Sequence, residues 1–99
     1  MAPRPRPVAA LAPLAQLKNL GPRSAAMLAA AGIDTAAQLR ALGSVEAYVR
    51  VRQVAPAASL NLLWALEGAL SGEPWQVVAR AHRSSLLLAL EARLHPDRA

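Results

Sequence analysis

Residues 59–70 read SLNLLWALEGAL, a stretch in which Glu67 is the only charge. Its large apolar residues, Leu60, Leu62, Leu63, Trp64, Leu66 and Leu70, fall on more than one face of a helix. A helix that is apolar nearly all round is stable only where other elements cover it, so this segment is predicted to run through the middle of a helical domain. Ser59 stands at its N-cap and Gly72 just past its last turn, as helix ends require.

Outward from that centre, the flanking segments supply the cover. On the C-terminal side Pro74 opens a further helix, in which Trp75, Val78, His82, Leu86, Leu90 and Leu94 recur at intervals of three and four. That stripe is expected to wrap the central helix, leaving Arg80, Arg83 and Glu91 on its other side. On the N-terminal side, residues 48–54 (YVRVRQV) alternate like a half-buried strand. A lone strand would leave its backbone groups unpaired, so the segment is read as helix, with Val45 and Val49 stacked four apart, Ser44 as cap and Glu46 in the first turn.

Earlier still, Thr35 and Gln38 make the T-x-x-Q pattern of a capping box for a short helix that carries Leu39 and Leu42 and stops at Gly43. A helix over 23–31 precedes it. Gly32 is placed to end that helix in a left-handed conformation, with Ile33 folding back onto Leu28. Leu14, Leu17 and Leu20, spaced by three behind Pro13, predict a first short helix that Gly21 and Pro22 interrupt. The expected architecture is all-α, a compact bundle of five or six short helices. Residues 1–12, rich in Pro and Arg, are expected to form a disordered arm; 13–95 form the helical domain and 96–99 a frayed tail.

Composition agrees with this plan and removes rivals. The chain has 99 residues, room for one domain. Its 55% hydrophobic content is dominated by 24 Ala and 17 Leu, with no Phe, so the core must be Leu packed between helices that Ala lets approach closely. Too apolar for a disordered tail, the chain also lacks an uncharged run long enough to span a bilayer. Arg4 and Arg6 before residues 8–12 imitate a secretory signal only in part, because Pro13 cuts the apolar run short. A cytoplasmic chain is expected. Zero Cys excludes disulfides and thiolate chemistry.

Catalytic signatures are missing from the sequence. His82 falls within an apolar stripe and reads as a packed or half-exposed imidazole, while His95 has no second ligand at metal spacing. Ser84 and Ser85 lack a nucleophile elbow, and Glu67 and Glu91 fall on different helices, so the sequence identifies no acid-base pair. Trp64 and Trp75 read as core or rim packing. No enzyme activity, metal or cofactor is expected.

The chemistry that remains is electrostatic. Ten Arg and one Lys against six acids leave a net charge of +5, which favours acidic partners, nucleic acid first. Residues 17–25, LKNLGPRSA, have the form of a helix-hairpin-helix turn, with Asn19 where that motif usually has its first Gly. Asn tolerates left-handed geometry, so the turn is retained. Unpaired N–H groups at the helix start favour an anion, and Lys18 and Arg23 are placed to add charge-assisted contacts. Lys18, Asn19, Gly21, Arg23 and Ser24 are therefore the predicted nucleic-acid contacts. The same turn also reads as a compact corner used for folding or for docking a protein.

Taken together, LKNLGPRSAA (17–26), Ala31-Gly32-Ile33, Leu42-Gly43, SLNLLWALEGAL (59–70), Gly72 and Trp75 resemble the C-terminal domain of the TfoX/Sxy family of DNA-transformation (competence) regulators. The resemblance covers roughly residues 14–92. It implies an all-helical domain close to the SAM-like folds, with a helix-hairpin-helix flavour in its N-terminal half, and a cytoplasmic regulatory role in competence gene expression. Members commonly carry a further N-terminal domain, whereas here a Pro/Arg arm precedes the match. The expected partners are therefore DNA, contacted along its backbone, or a transcription component or separately encoded TfoX N-terminal domain, contacted as a protein adaptor.

Overall fold

The computed structural model describes Leu14 and residues 17–98. Five α-helices follow in order: α1 (Pro22–Ala30), α2 (Ala36–Val54), α3 (Leu60–Ser71), α4 (Trp75–Ala81) and α5 (Arg83–Leu94), before a 3-10 turn at Pro96–Arg98. Strand segments are absent among the described residues.

The SLNLLWALEGAL segment is the centre. In α3, Leu62, Leu63, Trp64, Ala65, Leu66 and Gly68 are all buried, and Gly72 ends the helix at φ 81°. α2 and α4 pack on α3, α5 packs on α2 and α4, and α1 packs on α2. Leu28, Ile33, Leu39, Val51 and Val78 fill the same core. At about 1.5–3 kcal/mol for each fully buried large aliphatic side chain, this Leu/Val cluster is the main favourable contribution to stability.

Local signals set most of the boundaries. At the end of α1, Ile33 N–H donates to Leu28 O (2.8 Å) and Gly32 N–H to Ala29 O (2.9 Å), the paired bonds of a Schellman end. Gly32 has φ 82°, and both Leu28 and Ile33 are buried. Thr35 and Gln38 form the reciprocal capping box at the start of α2. Gly43 breaks α2 with φ 80° and ψ 167°, so the two short helices predicted on either side of it are the arms of one bent element.

Three details depart from the sequence reading. Ser44 does not cap the second arm of α2; being buried, its hydroxyl requires a partner and donates to Glu67 Oε1 of α3 at 2.7 Å. That bond also accounts for the single charge on the central helix. Ser59 occupies the N-cap position of α3 but makes no side-chain capping bond. The predicted single helix from Pro74 is two, broken at His82 (φ −116°, ψ 7°). Its stripe serves two partners, because α4 packs on α3 while α5 packs on α2, and a straight helix cannot face both.

Ahead of α1, Leu17 N–H bonds Leu14 O (3.0 Å) and Leu20 N–H bonds Leu17 O (3.1 Å), three-residue turns in place of the i→i+4 bonds of an α-helix. Leu14 and Leu20 are buried in the common core. The rest of the predicted first helix and the 1–12 arm lie outside the described residues.

Candidate nucleic-acid interface

The turn before α1 is built on Asn19, which takes φ 71°. Its side chain does not face outward. Asn19 Nδ2 donates to Glu73 O at 2.8 Å, and Oδ1 accepts from Trp75 N–H at 3.0 Å. One amide thus ties the turn to the α3–α4 connection. Gly68 makes the approach possible: a Cβ there would lie 2.5 Å from Asn19 Nδ2 and 2.6 Å from Glu73 O, so only hydrogen fits.

With the turn fixed, α1 starts at Gly21, whose extended backbone (φ −113°) places it at the N-cap without a capping side chain. Pro22 has no N–H, and Ala25 N–H makes the first helical bond, to Gly21 O at 3.0 Å. The N–H groups of Arg23 and Ser24 therefore have no acceptor within the helix. Both residues, with Asn19, line a groove of about 540 Å³.

The facing wall comes from a distant part of the chain. Ala57, Ser59 and Asn61 line it from the α2–α3 loop and the first turn of α3, and Trp75 lines it from the start of α4. The loop is held from below by Tyr48, whose buried ring sends its O–H to Ala58 O at 3.1 Å, while Arg52 donates to the Tyr48 hydroxyl and lies 5.9 Å from its ring centroid. Because Ser59 leaves α3 uncapped, two helix amino ends border one groove. Among the described residues that line it, Arg23 is the only charged one and none is a carboxylate.

Of the predicted contacts, Asn19, Arg23 and Ser24 line the groove, Gly21 supplies the extended N-cap, and Lys18 is exposed on the turn beside Asn19. Ser59, Asn61 and Trp75 were not predicted as part of the site. A signal for the first two is present in the sequence: Ser59 is followed three residues on by Leu62, where Thr35 is followed by Gln38, so no reciprocal capping partner exists.

Several carboxylates are engaged on other faces. Arg93 grips Glu46 with two bonds, Nε to Oε1 at 2.9 Å and Nη2 to Oε2 at 3.1 Å, and Arg50 approaches Glu46 Oε2 at 3.8 Å. The bonded Arg93 guanidinium holds the Glu46 carboxyl below the usual carboxylate range, and Glu46 in turn raises Arg93. His82 Nε2, at the α4–α5 corner, donates to Glu73 Oε1 in the α3–α4 connection at 2.9 Å, with the imidazole half-exposed. Trp64 is core, with Arg83 5.8 Å from its ring centroid; Trp75 is at the rim, 39% exposed. Among the described residues no cluster of three or more His, Asp or Glu is arranged to hold a metal ion, and no helix is long and apolar enough to cross a membrane.

Comparison with known proteins agrees with this architecture. Residues 11–90 match the family model described as the TfoX C-terminal domain. The crystal structure of an uncharacterized protein from Listeria monocytogenes is similar to this chain with a TM-score of 0.73 and 32% identity, over 82% of this chain and 92% of that one. No curated protein matches. With a family model spanning most of its length and a solved relative of the same fold, the chain belongs to the TfoX C-terminal domain family.

Proposed function

We propose that this chain is a non-enzymatic regulatory module of the competence-regulator kind, acting in the cytoplasm by binding, and that the start of α1 contacts the nucleic-acid backbone without reading bases. The observation that carries the reading is the groove bordered by two uncapped helix amino ends and Arg23, with no carboxylate among its described lining residues. Free N–H donors and the positive ends of two helix dipoles attract a phosphate oxygen, and Arg23 offers it a charge-assisted bond. Lys18 adds a further positive charge on the adjoining turn. Contacts of this type carry no base information, so binding is sequence-tolerant and salt-sensitive.

The test is a titration of duplex DNA at low and moderate salt with wild type and Arg23→Ala. Wild type binds at low salt, and the substitution weakens binding across sequences and lowers the slope of log K against log salt by about 1. Absence of binding at low salt, or indifference to the substitution, contradicts the contact.

A second reading, a protein adaptor that docks a transcription component or a separately encoded TfoX N-terminal domain, is favoured by one feature. Leu94 is 50% exposed and joins Val49 and Leu90 in a notch of about 250 Å³ between α2 and α5. It predicts a partner retained after nuclease treatment and lost in Leu94→Asp, with no salt-dependent DNA binding.

A further inference from the structure

We infer that the groove between α1 and the start of α3 accepts one unpaired nucleotide, its phosphate at Arg23 and its base against Trp75, so that the chain prefers single-stranded to duplex nucleic acid. The inference rests on the backbone contact proposed above and adds the strand state and the stacking residue.

Four observations point there. First, the two Trp residues are used differently: Trp64 is 3% exposed in the core, whereas Trp75 is 39% exposed and lines the groove. An indole left open to water is an apolar face without a partner, and a planar base covers it well. Second, Trp75 is anchored, because its backbone N–H is held by Asn19 Oδ1 at 3.0 Å and Pro74 precedes it. A stacking platform that is already ordered loses little entropy on binding. Third, the groove volume of about 540 Å³ falls in the range of small-ligand sites, roughly 300–1,000 Å³. Ala57, Ala58 and Ala65 in its lining carry only methyl side chains, which narrow the groove little. Fourth, the charge is complementary: Arg23 is the only charged residue among the described ones that line the groove, and the nearby Glu73 carboxylate is bonded to His82.

Strand state follows from the same geometry. Inside a duplex each base face is covered by its neighbours, so Trp75 gains nothing from paired DNA. In a single strand the base can turn onto the indole while its phosphate meets Arg23, and because every base has a π-face the stack tolerates any sequence.

The experiment uses the full chain and a short fluorescein-labelled oligonucleotide without self-complementarity, free or annealed to its complement, followed by anisotropy at low salt. The single strand is expected to bind more tightly than the duplex and to quench tryptophan fluorescence. Trp75→Leu weakens single-strand binding roughly tenfold and leaves duplex binding unchanged. Trp75→Tyr restores most of the loss, which separates stacking from any fault in folding. Arg23→Ala weakens both.

Equal binding of single strand and duplex, with Trp75→Leu altering neither, overturns the nucleotide site while the proposed backbone contact stands. Absence of both kinds of binding at low salt overturns the two together. Oligoglutamate competing as well as the oligonucleotide at equal charge also overturns the inference, since the groove would then suit an acidic protein segment equally.

Discussion

The start of α2 and the starts of α1 and α3 solve the same problem in opposite ways. At α2 the donors are closed off locally: Thr35 Oγ1 accepts from Gln38 N–H at 3.2 Å, and Gln38 Oε1 accepts from Thr35 N–H at 3.0 Å and from Asp34 N–H at 2.6 Å. At α1 and α3 no side chain performs this role, and residues from both ends line one groove. Each open end carries the equivalent of roughly half a positive charge, which is why the proposed phosphate contact is placed where residues from both line one groove. α4 and α5 also begin without a side-chain cap, and it is the starts of α1, α3 and α4 that contribute residues to the groove shared with Arg23.

The largest perturbation of this contrast is Gly68→Ala. Its Cβ would press on both the Asn19 amide and the Glu73 carbonyl, and a backbone carbonyl cannot swing aside as a flexible side chain does. Overpacking and loss of the Asn19 bonds are expected to cost about 2–3 kcal/mol, read as a lower midpoint in urea. An unchanged midpoint means that the clip does not hold the open side of the molecule together.

Next in size is the capping pair itself. Thr35→Ala removes the hydroxyl that accepts from Gln38 N–H, leaves the Gln38 side-chain half of the box in place, and is expected to cost about 1 kcal/mol. Ser59→Ala, which removes no capping bond, should cost no more than roughly a few tenths of a kcal/mol. Equal losses in the two variants would erase the distinction between closed and open ends. Arg23→Ala, on the exposed surface, should stay within about 0.5 kcal/mol of wild type even as it weakens DNA binding.

The smallest effect concerns the contact between α2 and α5, where Glu46 pairs with Arg93 and Arg50. Glu46 has its carboxyl lowered by the bond from Arg93, with Arg50 adding attraction, so the folded state binds that proton less readily than the unfolded chain. Its contribution is present above the usual Glu range near about 4.3 and is lost as pH falls through the lowered folded value. Glu46→Gln is therefore expected to flatten the acid limb of a Tm-against-pH curve slightly and to leave neutral DNA binding untouched. An altered salt dependence of DNA binding in this variant would place nucleic acid on the ion-paired face instead.

What could be read from the sequence follows the range of the forces involved. Gly32 with Ile33, Thr35 with Gln38, and the apolar run of α3 act within a few residues, and each appears in the structure where the sequence places it. The break at His82 was hidden because the stripe from Val78 to Leu86 continues in phase through it; only the packing of α4 and α5 on different helices bends it. Ser44 looked like a cap because its bond to Glu67 spans 23 residues. For the site, the turn at 17–25 was legible, but half of the groove was not. Asn19 meets Glu73 and Trp75 across more than 50 residues, and this tertiary tie, invisible to local pattern, brings Trp75 to the groove.

In the proposed contact the phosphate backbone meets the open starts of α1 and α3, and not the capped start of α2. The most direct measurement is a two-dimensional amide NMR titration of the labelled chain with nucleic acid at low salt. The amides of Gly21, Arg23 and Ser24, together with those of Leu60 and Asn61 across the groove, are expected to shift progressively, while that of Gln38 stays in place. Shifts centred on Gln38, or on the α2–α5 face around Glu46 and Arg93, with the two open starts silent, would contradict it.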